Sequence, residues 1–364
     1  MRRFLPFCPN PVLLLLFVAA LGAFFDAALP FAPWTAAAAG PAAPVREKDE
    51  EVLFSARREF RGAVRRDMAE RVAGAAAELA AYDRAARLLA REPDVHFAAG
   101  VENGDALSLD GLARLVFTTR TRAVGAEGFP PFLASVVRVA LVRPEEYRER
   151  LVEALASEDA LEIHGQALAR ERELVARYDA LAPYLLSLPG LDEGGREQMH
   201  ALQAMVNELV GLADFLALID GRESPEGEPR AVKERLERIE RLAPDNPLVL
   251  NALAEVWLRL DRPLTALDYA ARATDGAPGF ARAHDTQGAV LLRQRLPLMA
   301  ARSFGKAIEL APRNASYYMN RASAYLVLEE TEAMCADFQR ACALGDCDGL
   351  IWASEERRCN KDAP

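Results

Sequence analysis

Four cysteines, Cys335, Cys342, Cys347 and Cys359, crowd the end of the chain, and a fifth, Cys8, stands alone near its start. Thiols at that density either bind a soft metal or pair as disulfides. No histidine lies among them to complete a mixed zinc site, so the even set reads as two disulfides in an oxidising compartment. The four histidines, His96, His164, His200 and His284, are far apart and none has a ligand spacing such as H-x3-H. Glu102, Asp105 and Asp110 could touch a cation, but their spacing misses the EF-hand pattern. The pairs Glu145-Glu146, Glu329-Glu330 and Glu355-Glu356 are adjacent in sequence. On a helix such neighbours point about 100° apart and do not converge as an acid and a base. There is no G-x-S-x-G, Walker loop or G-x-G-x-x-G, and the glycines from Gly190 to Gly195 flank acidic residues where a phosphate cradle needs free backbone N–H groups. The chain is therefore expected not to be an enzyme, with no catalytic residue, metal site or cofactor and no small-molecule substrate.

The elements that would carry such groups are mostly helical. Of 364 residues, 69 are alanine, so the apolar fraction is rich in small, helix-favouring side chains and poor in β-branched core filler. Forty of the 44 basic residues are arginine, which carries no functional reading. A formal net charge of -10 argues against nucleic acid or an anionic bilayer as partner.

The first residues show three zones: Arg2 and Arg3, an apolar stretch from Pro11 to Phe25, and small residues Ala36 to Ala39 before Gly40. This is the pattern of a cleaved secretory signal, assigned to residues 1–39, with a permanent membrane anchor the weaker alternative. The expected location is periplasmic or secreted. Loss of Cys8 with the signal leaves the four C-terminal cysteines.

Pro244, Pro278 and Pro312 recur every 34 residues, each after an apolar helical pattern. A fixed period of that length means stacked helical hairpins. Units then start at Pro247, Ala281 and Ala315. A small residue at position 8 (Ala254, Gly288, Ala322) lets the two helices of a unit approach closely, and Ala266 and Ala300 at position 20 do the same from the second helix. Met334 replaces that alanine in the third unit and predicts wider packing. Large side chains such as Trp257, Phe304, Tyr318, Tyr325 and Phe338 fill the space between. This pattern resembles the tetratricopeptide repeat (TPR) family. Three full units and a preceding half-unit carrying Val232, Leu236 and Ile239 give an array over 230–346.

The resemblance implies an α-solenoid whose first helices line a concave groove for an extended peptide or partner helix. The groove residues would be Asn251, Glu255, Arg259, Arg282, Asp285, Arg293, Met319, Asn320 and Ser323. The lysines of the TPR set that clamps a C-terminal carboxylate are missing, so that ligand is not expected. The repeat also constrains the cysteines. Cys335 and Cys342 lie about 10.5 Å apart along one helix, too far to bond. If a capping helix after Gly345 packs back antiparallel, Cys342 meets Cys347 near the turn and Cys335 meets Cys359 at the far end.

Before the array, apolar positions at helical spacing over 47–91 predict one long helix, kinked near Gly74 if broken. A polar loop follows to Gly111. Alternating, β-branched stretches over Leu112–Val124 and Phe132–Val142 predict a β-hairpin closed by Gly125 to Pro131. This order resembles a small α+β domain that precedes TPR arrays in some secreted proteobacterial proteins, and is assigned to 46–143. Residues 144–220 are expected to form an antiparallel helical hairpin, with helices from Glu145 to Leu188 and Arg196 to Asp220. Its outer face at Glu171-Arg-Glu173 is expected to be solvated. A Pro/Gly/Glu-rich linker occupies 221–229, and 347–364 form the capping helix and tail.

The function expected from these readings is that of an exported, mainly α, non-catalytic scaffold that binds a protein or peptide in its TPR groove during envelope assembly or complex formation. Two alternatives stand beside it: a structural component that self-associates weakly through the 144–220 hairpin, and an accessory protein or hydrolase using the N-terminal module.

Overall fold

The computed structural model describes residues 52–92, 95, 109–129, 132–220 and 228–359. The expected leader, His96, Glu102, Asp105 and most of the 221–229 linker lie outside the described residues.

The described chain opens with a strand, β1 (Val52–Phe60), where a helix was expected. Phe54, Ala56 and Phe60 alternate with exposed side chains, so the apolar period over this stretch is 2, and the Ala/Arg/Glu composition that suggested helix is overridden by pairing. Helix α1 (Arg66–Leu89) then runs unbroken through Gly74. A second correction follows: α2 (Leu109–Val116) is a helix where a strand was expected, with Asp110 in its first turn. Strand β2 (Thr118–Phe129) pairs antiparallel with β3 (Phe132–Val142). The hairpin was expected, but Gly125 and Gly128 lie inside β2, opposite Val136 and Leu133, and the strands pair as far as Phe129 with Phe132. β1 takes the other edge of β3, giving the order β1-β3-β2. One face of this sheet is covered by α1, whose Ala73 and Ala77 let the helix settle on Ala56, Val137 and Val139.

The single long helix expected from Glu145 is two, α3 (Tyr147–Leu155) and α4 (Glu158–Ser187). Ser157 breaks the run and caps α4 by accepting from Ala160 N at 3.4 Å. Helix α5 (Glu193–Ile219), capped by Asp192, returns antiparallel to α4. Leu168, Leu174 and Tyr178 share one buried cluster with Leu202, Met205 and Leu209, and Arg170 forks onto Glu208 across the hairpin at 2.7 and 2.9 Å. By length and composition α5 could cross a membrane, but half of it is buried in the protein. The face at Glu171 is not solvated as expected. Glu171 is 6% exposed and accepts two hydrogen bonds from Arg114 of α2, at 2.9 and 3.0 Å. Arg172 holds Asp83 and Asp110.

After α6 (Pro229–Glu240) come three hairpins: α7 (Pro247–Arg259) with α8 (Pro263–Gly276), α9 (Ala281–Arg293) with α10 (Pro297–Leu310), and α11 (Ala315–Val327) with α12 (Thr331–Ala343). Their repetition extends to the backbone. Asp261, Arg295 and Glu329, each 34 residues from the next, turn the chain between paired helices at φ 58°, 62° and 62°. The small position 8 is decided by what faces it: a Cβ at Gly288 would lie 2.6 Å from the Phe304 ring. Met334, in place of the third alanine, is buried among Ala322, Phe338 and Ala353. A final helix, α13 (Asp348–Glu355), lies over the last hairpin. The cysteines bond as Cys335–Cys359 and Cys342–Cys347, with Cα separations of 5.6 and 4.0 Å.

Candidate functional site: the inner face of the helical array

Helices α7, α9 and α11 lie side by side and start at equivalent residues, so the treatment of their N-termini can be compared directly. Each leaves backbone N–H groups that need acceptors. Asn246 caps α7, its side chain accepting from Leu248 N at 3.1 Å and Val249 N at 3.4 Å. Asn314 caps α11 in the same way, accepting from Ser316 N at 3.1 Å. The equivalent residue before α9 is Phe280, whose side chain cannot accept a hydrogen bond. The acceptor comes from far away in sequence: Glu162, near the start of α4, takes Ala281 N at 2.6 Å and Arg282 N at 3.1 Å.

The first turn of α4 therefore lies on the face that the repeat pattern marks as a groove. Asp159 accepts from Arg282, from Asn314 Nδ2 at 2.9 Å and from Tyr317 OH at 3.3 Å. Arg282 also forks onto Glu255 at 2.9 and 3.2 Å, and Glu255 accepts from Asn251 Nδ2 at 2.9 Å. Asn320 Nδ2 donates to Asp285 at 2.8 Å. Farther along the hairpin, Asn246 Nδ2 donates to Glu208 of α5. Burial pushes the Glu162 carboxyl up to about 7, against the stabilising pull of its two backbone donors. Burial likewise raises Asp285 to about 7. The Arg282 guanidinium, drawn upward by Glu255 and Asp159 against the cost of burial, stays charged.

The nine expected groove residues separate into two groups. Asn251, Glu255, Arg282, Asp285 and Asn320 come together, but as a bonded network and not as free anchors; the sequence pattern held no sign that α4 would meet them. Arg259 and Arg293 are exposed at the opposite ends of their helices, Arg293 bonded to Asp261 at 2.8 Å. Ser323 donates to Met319 O within α11, and Met319 packs against the cluster holding Phe338 and Ala353. An open cleft of about 370 Å³, lined by Gln166 and Arg170 of α4 with Pro247, Leu248, Ala277 and Phe280, runs beside the network.

No other chemistry is assembled among the described residues. His164 pairs with Asp220 at 3.1 Å, His284 bonds the Pro278 carbonyl at 2.9 Å, and Asp110 is held by Arg172. No group of histidine, cysteine and acidic side chains suited to a metal ion is found among the described residues.

No family model matches the chain, and no curated protein does. Solved structures similar to part of it are TPR proteins. They include YrrB, described as a TPR protein with an unusual peptide-binding site (17% identity, 54% of this chain and 91% of that one, TM-score 0.34). MamA matches at 17% identity over 45% of this chain and 98% of its own, with a TM-score of 0.32. The first TPR domain of human RPAP3 matches at 17% identity over 32% and 93%, with a TM-score of 0.30. The hairpins from α7 to α12 stack with the 34-residue period of the sequence. What sets this array apart is the first turn of α4, seated across the N-termini of its first helices.

Proposed function

We propose that the chain is an exported, non-catalytic adaptor that holds a protein or peptide segment against the inner face of its TPR array, in envelope assembly or complex formation. The observation that carries this reading is that the face already holds a stretch of polypeptide: Asp159 and Glu162 reach it from more than a hundred residues away and are received by backbone N–H groups, Arg282, Asn314 and Tyr317. Beyond α4 the same helices leave Arg259, Arg293 and Val327 exposed and Ser323 partly so, which is surface for a second segment. Export is supported by the three-zone start of the sequence and by the pairing of all four C-terminal cysteines.

The test is capture of partners by the full chain from an envelope extract, compared with an Arg259→Glu, Ser323→Trp double variant that fills and recharges the face. Loss of the specific partners is expected. An unchanged set of partners moves binding away from the array. N-terminal sequencing of the protein recovered from the periplasm checks cleavage before Gly40; an intact N-terminus in the cytoplasm overturns export.

A further inference from the structure

The network on the inner face is short of positive charge. Asp159, Glu162, Glu255 and Asp285 bring four carboxyl groups around the guanidinium of Arg282, the one cation bonded to any of them among the described residues. The donors are distributed unevenly. Asp159 and Glu162 have each oxygen occupied, and Glu255 receives both Arg282 and Asn251. Among the described residues Asp285 has a donor on one oxygen, Asn320 Nδ2. Beside Glu255, Asn251 is 3% exposed, and its Oδ1 is buried with no hydrogen-bond partner. A buried amide oxygen without a donor is destabilising, and acceptors beside a carboxylate form a place for N–H donors that carry charge. The network meets solvent at Asp159 and Glu255, whose side chains remain 39% and 33% exposed.

Resting on the groove reading above, we propose that the segment this face binds is basic: a lysine or arginine side chain of a partner peptide enters between α7 and α9 and donates to Asp285 and to Asn251 Oδ1. Charge complementarity names the occupant. An incoming cation stabilises Asp285 and Glu162 in their ionised forms, and the raised position of both carboxyls matches a face that awaits one. Arg259 and Arg293 at the far rim keep a uniformly basic peptide from lying along the whole groove, so the basic side chain belongs at the α4 end.

The probe is a short fluorescein-labelled alanine–leucine peptide carrying three lysines, with matched peptides carrying glutamine or glutamate at those places, titrated by anisotropy against the full chain at low salt. The lysine peptide is expected to bind about tenfold or more tightly than either control, and more tightly at about pH 8 than at about pH 5.5 as the two carboxyls ionise. Asp285→Asn keeps the shape and the Asn320 contact and is expected to lower lysine-peptide affinity to that of the glutamine peptide. Asp268→Asn, an exposed acid on α8, is expected to leave it unchanged. Asn251→Ala supplies a second variant, and thermal melts confirm that each folds. Equal binding of the three peptides, no binding by any of them, or insensitivity to Asp285→Asn overturns the basic preference. The groove reading fails separately: that failure is partner capture untouched by Arg259→Glu, Ser323→Trp.

Discussion

The first and third repeats of the array begin on asparagine, whereas the second begins on phenylalanine. The two asparagines finish their own helices, so those N-termini are complete within a few residues of sequence. Phe280 contributes differently: it is 1% exposed and packs in the cluster of Leu248, Val249 and Leu253. The position cannot both fill the core and cap the helix, and Glu162 of α4 supplies the missing acceptor. One repeat thus depends on the N-terminal half for a contact that its neighbours make locally.

The sharpest way to test that division is Phe280→Ala, expected to cost about 3–5 kcal/mol in denaturant unfolding as a cavity opens in the core. A loss under about 1 kcal/mol would mean that the phenylalanine is not what excludes an asparagine there. Next comes Glu162→Ala, which strips the acceptor from Ala281 N and Arg282 N and is expected to cost about 1–3 kcal/mol. Asn314→Ala should cost about 1 kcal/mol as an ordinary cap. Hydrogen exchange separates the two: Glu162→Ala should speed exchange at the start of α9 and leave the start of α7 protected, and equal effects on both would erase the distinction between repeats.

The pH dependence carries the same contrast. Glu162 and Asp285 titrate near 7 in the folded chain, above the ordinary carboxylate range. Between about pH 4.5 and 7 the folded state holds more protons than the unfolded one, so these two groups make stability fall as pH rises through that window and level off above it. The double variant Glu162→Gln, Asp285→Asn should flatten this slope in thermal melts from pH 5 to 8. A slope equal to that of the parent protein would place the titrating groups elsewhere. The smallest effect is expected at the turns: Arg295→Gly should stabilise by up to about 1 kcal/mol by relieving a left-handed backbone position, and a loss would show that the arginine side chain matters more than its φ.

The repeats were legible because their determinants are local and periodic. Proline spacing, Ala254, Gly288 and Ala322 at the close approaches, and Phe304 against Gly288 can all be read within 34 residues. The cysteine partners followed once helix geometry was placed on that frame. The N-terminal sheet was half legible. β3 has β-branched alternation, but β1 is an edge strand whose Arg57 and Glu59 face water and whose Arg58 turns inward to Asp179, and Leu109–Val116 is apolar enough to suit either state. The Glu162 cap was not legible at all. A single glutamate near the start of a helix looks like ordinary dipole pairing, and only the fold brings it to Ala281. Five of the residues singled out for the groove lie together, but their bonds with α4 depend on contacts across more than a hundred residues.

The two disulfides acquire a mechanical meaning from their place. A linear stack of repeats unzips from its ends, because an end unit has one neighbour where an interior unit has two. At the front of this stack the α4–α5 hairpin touches all three first helices through Glu208, Glu162 and Asp159. At the back, Cys335–Cys359 and Cys342–Cys347 rivet the final helix to the last hairpin. The array is a beam held along the starts of its first helices by hydrogen bonds to α4 and α5 and fastened at its last hairpin by covalent bonds. Chemical reduction releases only the covalent fastening, so fraying is expected to begin at α13 and α12 and travel inward, meeting Asn320 of α11 and its bond to Asp285 before it reaches the first hairpin.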